Sequence, residues 1–150
     1  MKVTAQQIKS LRDKTGAGMM EVKQALEEAK GSEAKAKEIL KKKGLEKAGK
    51  RADREAGEGQ VFSYVHHSGK VASLVTLACE TDFVAKNDVF VNLGKEIAMQ
   101  VASMEPKNIK ELLKQAYIRD SKQTVADLVT AVSAKFKEKI EIKEIARISL

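Results

Sequence analysis

The stretch from Val71 to Cys79 constrains the fold more than any other. Apolar and β-branched side chains fill both of its alternating sets of positions, the pattern of a central strand covered by helices. A related run, Gln60 to Val65, precedes it, and His66-His67-Ser68-Gly69 between the two reads as a hairpin turn. Downstream, Phe90, Leu93, Ile97, Val101 and Met104 recur at spacings of three and four, which makes one helical stripe. Pro106 ends that helix or opens a short one holding Ile109, Leu112 and Leu113, and a further helix carries Val125, Leu128, Val132 and Phe136. Ile140-Glu141-Ile142 alternates as a strand, and its alternation slips by one residue near Lys143 and Glu144, which predicts a bend or bulge. The order β-β-α-α-α-β argues for an α+β fold, with an antiparallel three-stranded sheet packed on one face by helices.

Residues 1–44 read differently, as three short helices with clear punctuation. Thr4 and Gln7 form a capping-box pair, and Ile8 and Leu11 share a face. Gly16 and Gly18 break the run; Met19, Val22 and Leu26 mark a second helix that stops at Gly31. Ser32 caps a third, with Ala36, Ile39 and Leu40 facing inward and Lys41, Lys42 and Lys43 crowding its negative end before Gly44. So small a bundle is marginal alone. Residues 45–59 lack an apolar stripe after Leu45 and read as a basic linker, partly helical at most. Residues 60–150 form the α+β core.

Charge narrows the function. The net charge is +7, and residues 30–54 carry ten basic groups against four acids, which leaves the rest of the chain nearly balanced. Such a cluster suits phosphates, an anionic membrane surface or an acidic protein face, or it is simply a solvated helix end and linker. A single cysteine, Cys79, excludes an intrachain disulfide framework and a Cys-rich zinc site. With no Trp and 4% aromatic residues, a base-stacking platform is disfavoured. No apolar stretch approaches the roughly 20 residues of a membrane span, and the first residues lack the apolar region of a signal peptide. A reducing, cytoplasmic setting is therefore expected.

Catalytic constellations are absent from the sequence pattern. His66 and His67 fall in a turn without metal-ligand spacing to a Cys or carboxylate. Cys79 reads as a buried, inert thiol. Gly16-Ala17-Gly18 lacks the lysine and serine of a phosphate loop and follows a helix rather than a strand. No metal, cofactor or catalytic residue is expected. One connector stands apart: Thr81-Asp82-Phe83-Val84-Ala85-Lys86 is unusually apolar for its place between strand and helix. Either Asp82 caps a helix while Phe83 folds back onto the core, or Phe83 projects as an anchor framed by Asp82 and Lys86.

Two segments carry a family likeness. Leu11-Arg12-Asp13-Lys14-Thr15-Gly16-Ala17-Gly18-Met19-Met20 resembles the N-terminal signature of the elongation factor Ts family, and Cys79-Glu80-Thr81-Asp82-Phe83-Val84-Ala85-Lys86 resembles its second signature. The order and spacing of the two also match, so the resemblance spans essentially the whole chain. It implies a guanine-nucleotide exchange factor for the translational GTPase elongation factor Tu, with no chemistry of its own. It implies that the N-terminal helices form a ubiquitin-associated-like unit that docks on the GTPase through Arg12, Met19 and Met20. It further implies that the loop holding Thr81, Asp82, Phe83, Val84 and Lys86 binds the same partner. Asp82 and Phe83 there intrude and disturb the Mg²⁺ and phosphate site, so that GDP leaves. The chain resembles the short members, with a single core copy, and these imply a homodimer and a 2:2 complex, without membrane or direct nucleic-acid binding. The competing expectation is a basic RNA- or DNA-binding module built on residues 30–54, whose affinity would fall steeply with salt.

Overall fold

The computed structural model describes residues 3–150. Its N-terminal part is a three-helix unit cut by local caps. Helix α1 (Ala5–Thr15) opens on a reciprocal capping box: the Thr4 hydroxyl accepts the Gln7 N–H at 3.2 Å, and the Gln7 side-chain oxygen accepts the Thr4 N–H at 3.0 Å. It ends at Gly16, whose φ of 70° lies in the left-handed region that glycine adopts without steric cost. Helix α2 (Met19–Glu28) and helix α3 (Glu33–Arg51), the latter capped by Ser32, follow. Leu11, Val22, Ala25, Leu26 and Ala36 bury together as the core of this unit.

Helix α3 does not stop at Gly44, where the sequence pattern predicts an end. It runs on to Arg51 because it gains a tertiary partner there, helix α7 (Val125–Phe136). Gly44 lies against that helix: a Cβ at this position would sit 3.6 Å from Thr130 Cγ2. Lys41 Nζ reaches Asp127 at 3.2 Å. Arg51, only 7% exposed, donates to the carbonyl and hydroxyl oxygens of Ser133 at 3.4 and 3.3 Å. Packing of this kind, rather than propensity, sustains most protein helices.

The core is a sheet of strands β1 (Glu58–Val65), β2 (Val71–Cys79) and β5 (Glu141–Ser149), all antiparallel, in the order β1-β2-β5. Val75 on the central strand faces Phe62 on one side and Ile145 on the other. Thr76 pairs with Glu144 but Leu77 with Ile142, so Lys143 is the extra residue of a bulge, where the alternation slips. Helix α5 (Asp88–Met104) lies across the inner face, burying Phe90, Leu93, Ile97 and Val101 on Phe62, Val75 and Leu77. Its approach depends on Gly94, where a Cβ would come within 2.2 Å of the Phe62 ring. Helix α6 (Ile109–Lys114) and α7 complete that layer.

Two expectations are corrected. A small hairpin of β3 (Ala116–Tyr117) and β4 (Asp120–Thr124) precedes α7 and has no counterpart in the predicted order. The second face of β2 is also uncovered: Leu74 is exposed, beside Val61 and Val65 of β1 and Ile148 of β5. Helices cover one face of the sheet and leave the other apolar and open.

Candidate partner-binding site

Strand β2 ends at Cys79, and the chain turns at once into a single helical turn, α4 (Asp82–Ala85). Thr81 is its cap; the hydroxyl accepts the Val84 N–H at 3.4 Å. The capping role that the sequence allowed to Asp82 thus belongs to Thr81, and the Asp82 carboxylate is left outside, 3.4 Å from Lys86 Nζ. The two candidate placements of Phe83 are resolved by geometry. One turn of helix sends successive side chains in different directions, so Val84 and Ala85 enter the core while Phe83 stands out, 84% exposed. An isolated Phe at that exposure has no structural duty in this chain. Val84, grouped in the sequence reading with the partner-facing residues, has its side chain inside the subunit, where it anchors the loop.

The loop is stiff at its root. Cys79 Sγ donates to the Thr81 carbonyl at 3.1 Å. Burial, reinforced by the nearby Glu138 carboxylate, pushes this thiol up to about 11, so it stays protonated and unreactive near neutrality. Gln60 of β1 donates to the Ala85 carbonyl at 2.6 Å from the other side. Sequence reasoning missed Glu138, which binds the backbone at Glu80 and Thr81 from 58 and 57 residues away in sequence. Nothing local to either segment signals that contact.

The N-terminal candidates lie at the α1–α2 junction. Arg12 is exposed, and Met19 and Met20 are 58% and 64% exposed at the start of α2. Met19 therefore does not share the buried stripe of Val22 and Leu26 that its spacing suggested. Glu21 accepts the Gly18 N–H at 3.3 Å and closes the helix start without a side-chain cap. Two flexible thioethers are thus held outward on the first turn of α2, a surface able to fit an irregular partner.

Half of the basic groups of the segment are engaged in the chain's own contacts. Lys43 pairs with Glu28 at 2.8 Å, Lys47 with Glu21, Lys41 with Asp127, and Arg54 with Glu80 at 3.4 Å. A cleft of about 410 Å³ lies beside α3, with Lys14, Lys37, Lys41 and Lys122 among its walls and Asp120 and Asp127 facing them. Among the described residues, no group of three His, Cys, Asp or Glu side chains is placed to hold a metal, and no helix is long and apolar enough to cross a membrane.

Comparison with known proteins gives this arrangement its family. A profile described as Elongation factor TS matches residues 80–150, from the exposed loop to the last strand. An elongation factor Ts of Leptospira biflexa is 40% identical over 192 aligned positions, covering 98% of this chain and 97% of its own. The chain belongs to the elongation factor Ts family. A relative of the same name from Nitratidesulfovibrio vulgaris is 39% identical over 195 positions, covering 100% of this chain and 98% of its own. One from Clostridium kluyveri is 44% identical over 148 positions, and this chain spans 48% of its length. The first two alignments are longer than the 150 residues present here, so those relatives carry segments without a counterpart in this chain. Membership places the chain among the translation elongation factors.

Proposed function

We propose that the protein is a guanine-nucleotide exchange factor that acts on elongation factor Tu by wedging Phe83 and Asp82 into the GTPase and disturbing its Mg²⁺ and phosphate site. The observation that carries this reading is an 84% exposed phenylalanine on a loop whose neighbours Val84 and Ala85 are buried. Full burial of the ring by a partner would contribute about 1.5–3 kcal/mol to the complex. Exchange needs no reacting group on this chain. It needs tighter binding to the nucleotide-free GTPase than to the loaded one, and by reciprocity the factor weakens GDP by the same ratio that GDP weakens the factor. Loss of Mg²⁺ contacts would remove the largest local charge opposite the diphosphate. Arg12, Met19 and Met20 supply a second contact patch, while Thr81 and Lys86 frame the first.

Lys41, Lys43 and Lys47 are engaged at the surface by Asp127, Glu28 and Glu21, which leaves less unpaired positive charge in residues 30–54 for a nucleic-acid surface. A cytoplasmic setting follows from the same reading. The open apolar face of the sheet supports the remaining part of the proposal, a homodimer that binds two GTPases.

The decisive experiment is release of labelled GDP from elongation factor Tu. The parent protein should accelerate release at substoichiometric amounts. Phe83→Ala should lower that acceleration at least about tenfold, by the burial energy above, while its thermal midpoint stays at the parent value because the ring touches little of its own chain. A Phe83→Ala protein with parental exchange would reject the wedge. Asp82→Ala provides a companion test. Since Thr81 holds the cap, this variant should keep its stability and still lose exchange. The reverse outcome, parental exchange with a lowered midpoint, would return Asp82 to a capping role.

A further inference from the structure

Past Cys79 the backbone leaves the ladder of β2, whose last pair is Cys79 with Glu58. The next two amides, of Glu80 and Thr81, therefore lack strand partners. Both are taken by one carboxylate. Glu138, in the turn between α7 and β5, accepts the Glu80 and Thr81 N–H groups on Oε1, each at 3.1 Å, and the Thr81 hydroxyl on Oε2 at 2.8 Å. The favour is returned by the neighbouring residue: Glu80 Oε1 accepts the Lys139 N–H at 2.7 Å and faces Arg54. Two glutamates from segments far apart in sequence thus cross-link the two turns, Glu138 on the amides of Glu80 and Thr81 and Glu80 on the amide of Lys139. Behind Glu138, the Ser133 hydroxyl donates to its carbonyl at 2.5 Å and itself receives Arg51 of α3.

We infer that Glu138 is the positioning residue of the exchange loop, holding the backbone from which Asp82 and Phe83 project. This rests on the proposed exchange function. The physical argument is one of population. Four residues of helix cannot fix their own orientation, so the direction of Phe83 is set by what holds residues 80 and 81. Charge-assisted bonds to both amides and to the capping hydroxyl hold them in one arrangement. If that arrangement is populated only in part, apparent affinity for the partner falls by the same fraction. The bonds from Arg51 through Ser133 to the Glu138 carbonyl also tie this turn to α3, whose Ala36 packs in the core of the N-terminal unit.

Two measurements on the full chain test the assignment separately. Amide hydrogen exchange reads the loop in the free protein; labelled GDP release reads function. In Glu138→Ala the Glu80 and Thr81 amides should lose about tenfold or more of their protection, with Val75 and Leu77 unchanged. GDP release should slow by a similar factor, mainly through a raised KM. Glu138→Gln keeps an oxygen for the amides but loses the charge and the acceptor for the Thr81 hydroxyl, so it should restore both readouts in part, to values between the alanine variant and the parent. Glu138→Asp keeps the charge but shortens the reach, and should resemble the alanine variant. It also serves if Glu138→Ala unfolds. Unchanged protection at Glu80 and Thr81 in the alanine and aspartate variants overturns the assignment. So does parental GDP release by both variants while Phe83→Ala is inactive; this would leave Glu138 a purely structural bond. If Phe83→Ala releases GDP like the parent, the exchange reading fails instead, whatever the amides report.

Discussion

Thr81 decides the direction of Phe83 by a single choice of which hydroxyl or carboxylate caps α4. Sequence alone offered Asp82 for that duty because Asp and Thr are both good caps; the fold selects Thr81 because Glu138 receives its proton while its oxygen receives the Val84 N–H. What was legible at this scale was the oddity of Phe83 in a connector. What was not legible was the distant carboxylate, since contacts between segments 57 residues apart leave no periodicity. Cys79 shares this corner and makes a pH prediction. Its native thiol is raised from 9.0 to about 11 by burial first and the Glu138 charge second. Between those values the unfolded chain releases a proton that the folded chain keeps. Stability from this group is complete below pH 9 and is lost as pH rises to about 11. Urea denaturation at pH 8 and pH 10.5 checks it: the parent should lose more stability between the two than Cys79→Ala does. Equal losses in the two proteins would mean that the thiol is not held protonated.

Elements with strong periodicity were readable and polar ones were not. The stripe from Phe90 to Met104 gives α5, the Thr4–Gln7 pair gives the start of α1, and the slipped alternation gives the bulge at Lys143. The hairpin β3–β4 escaped because Asp120–Thr124 is short and polar, with no apolar alternation to report it. The end of α3 was misplaced because Gly44 is a typical stop signal but here serves close approach to Thr130. Gly94 raises the same ambiguity within a helix and allows a signed test. Replacing glycine by alanine inside a helix ordinarily gains about 1 kcal/mol. At Gly94 the new methyl would meet the Phe62 ring at 2.2 Å, and that ring is buried against Phe90 at a centroid distance of 6.0 Å, so it has little room to retreat. Overpacking of this kind costs about 1–3 kcal/mol. Gly94→Ala should therefore be destabilising despite its helix propensity, by up to about 2 kcal/mol in urea denaturation. A stabilised variant would mean that Phe62 moves freely, and that α5 does not depend on the glycine to approach the sheet.

At the scale of the molecule the sheet keeps one apolar face uncovered within the single chain. Phe62, Val75 and Leu77 bury inward against α5, while Val61, Val65, Leu74 and Ile148 point the other way and remain exposed, Ile148 at 78%. The apolar character of β2 on both faces, read from the sequence as a strand buried on both sides, has only half its cover within one chain. A flat face of this kind meets a second copy of itself naturally: a two-fold axis places the same patch on both partners, and sheets pack face to face about 10 Å apart. Homodimerisation would supply the missing layer and carry two exposed loops on one particle. Leu74 lies at the middle of the central strand with its side chain outward, so Leu74→Lys adds a charge to the patch without disturbing the inner core. Light scattering should give twice the chain mass for the parent at micromolar concentration and a single chain mass for Leu74→Lys, with unchanged helix and strand content by circular dichroism. An association driven by apolar burial would not weaken as salt rises, so raising the salt should leave the proposed dimer intact. A parent that scatters as one chain at every concentration, yet exchanges nucleotide fully, would show that a single copy suffices and that the open face has another purpose.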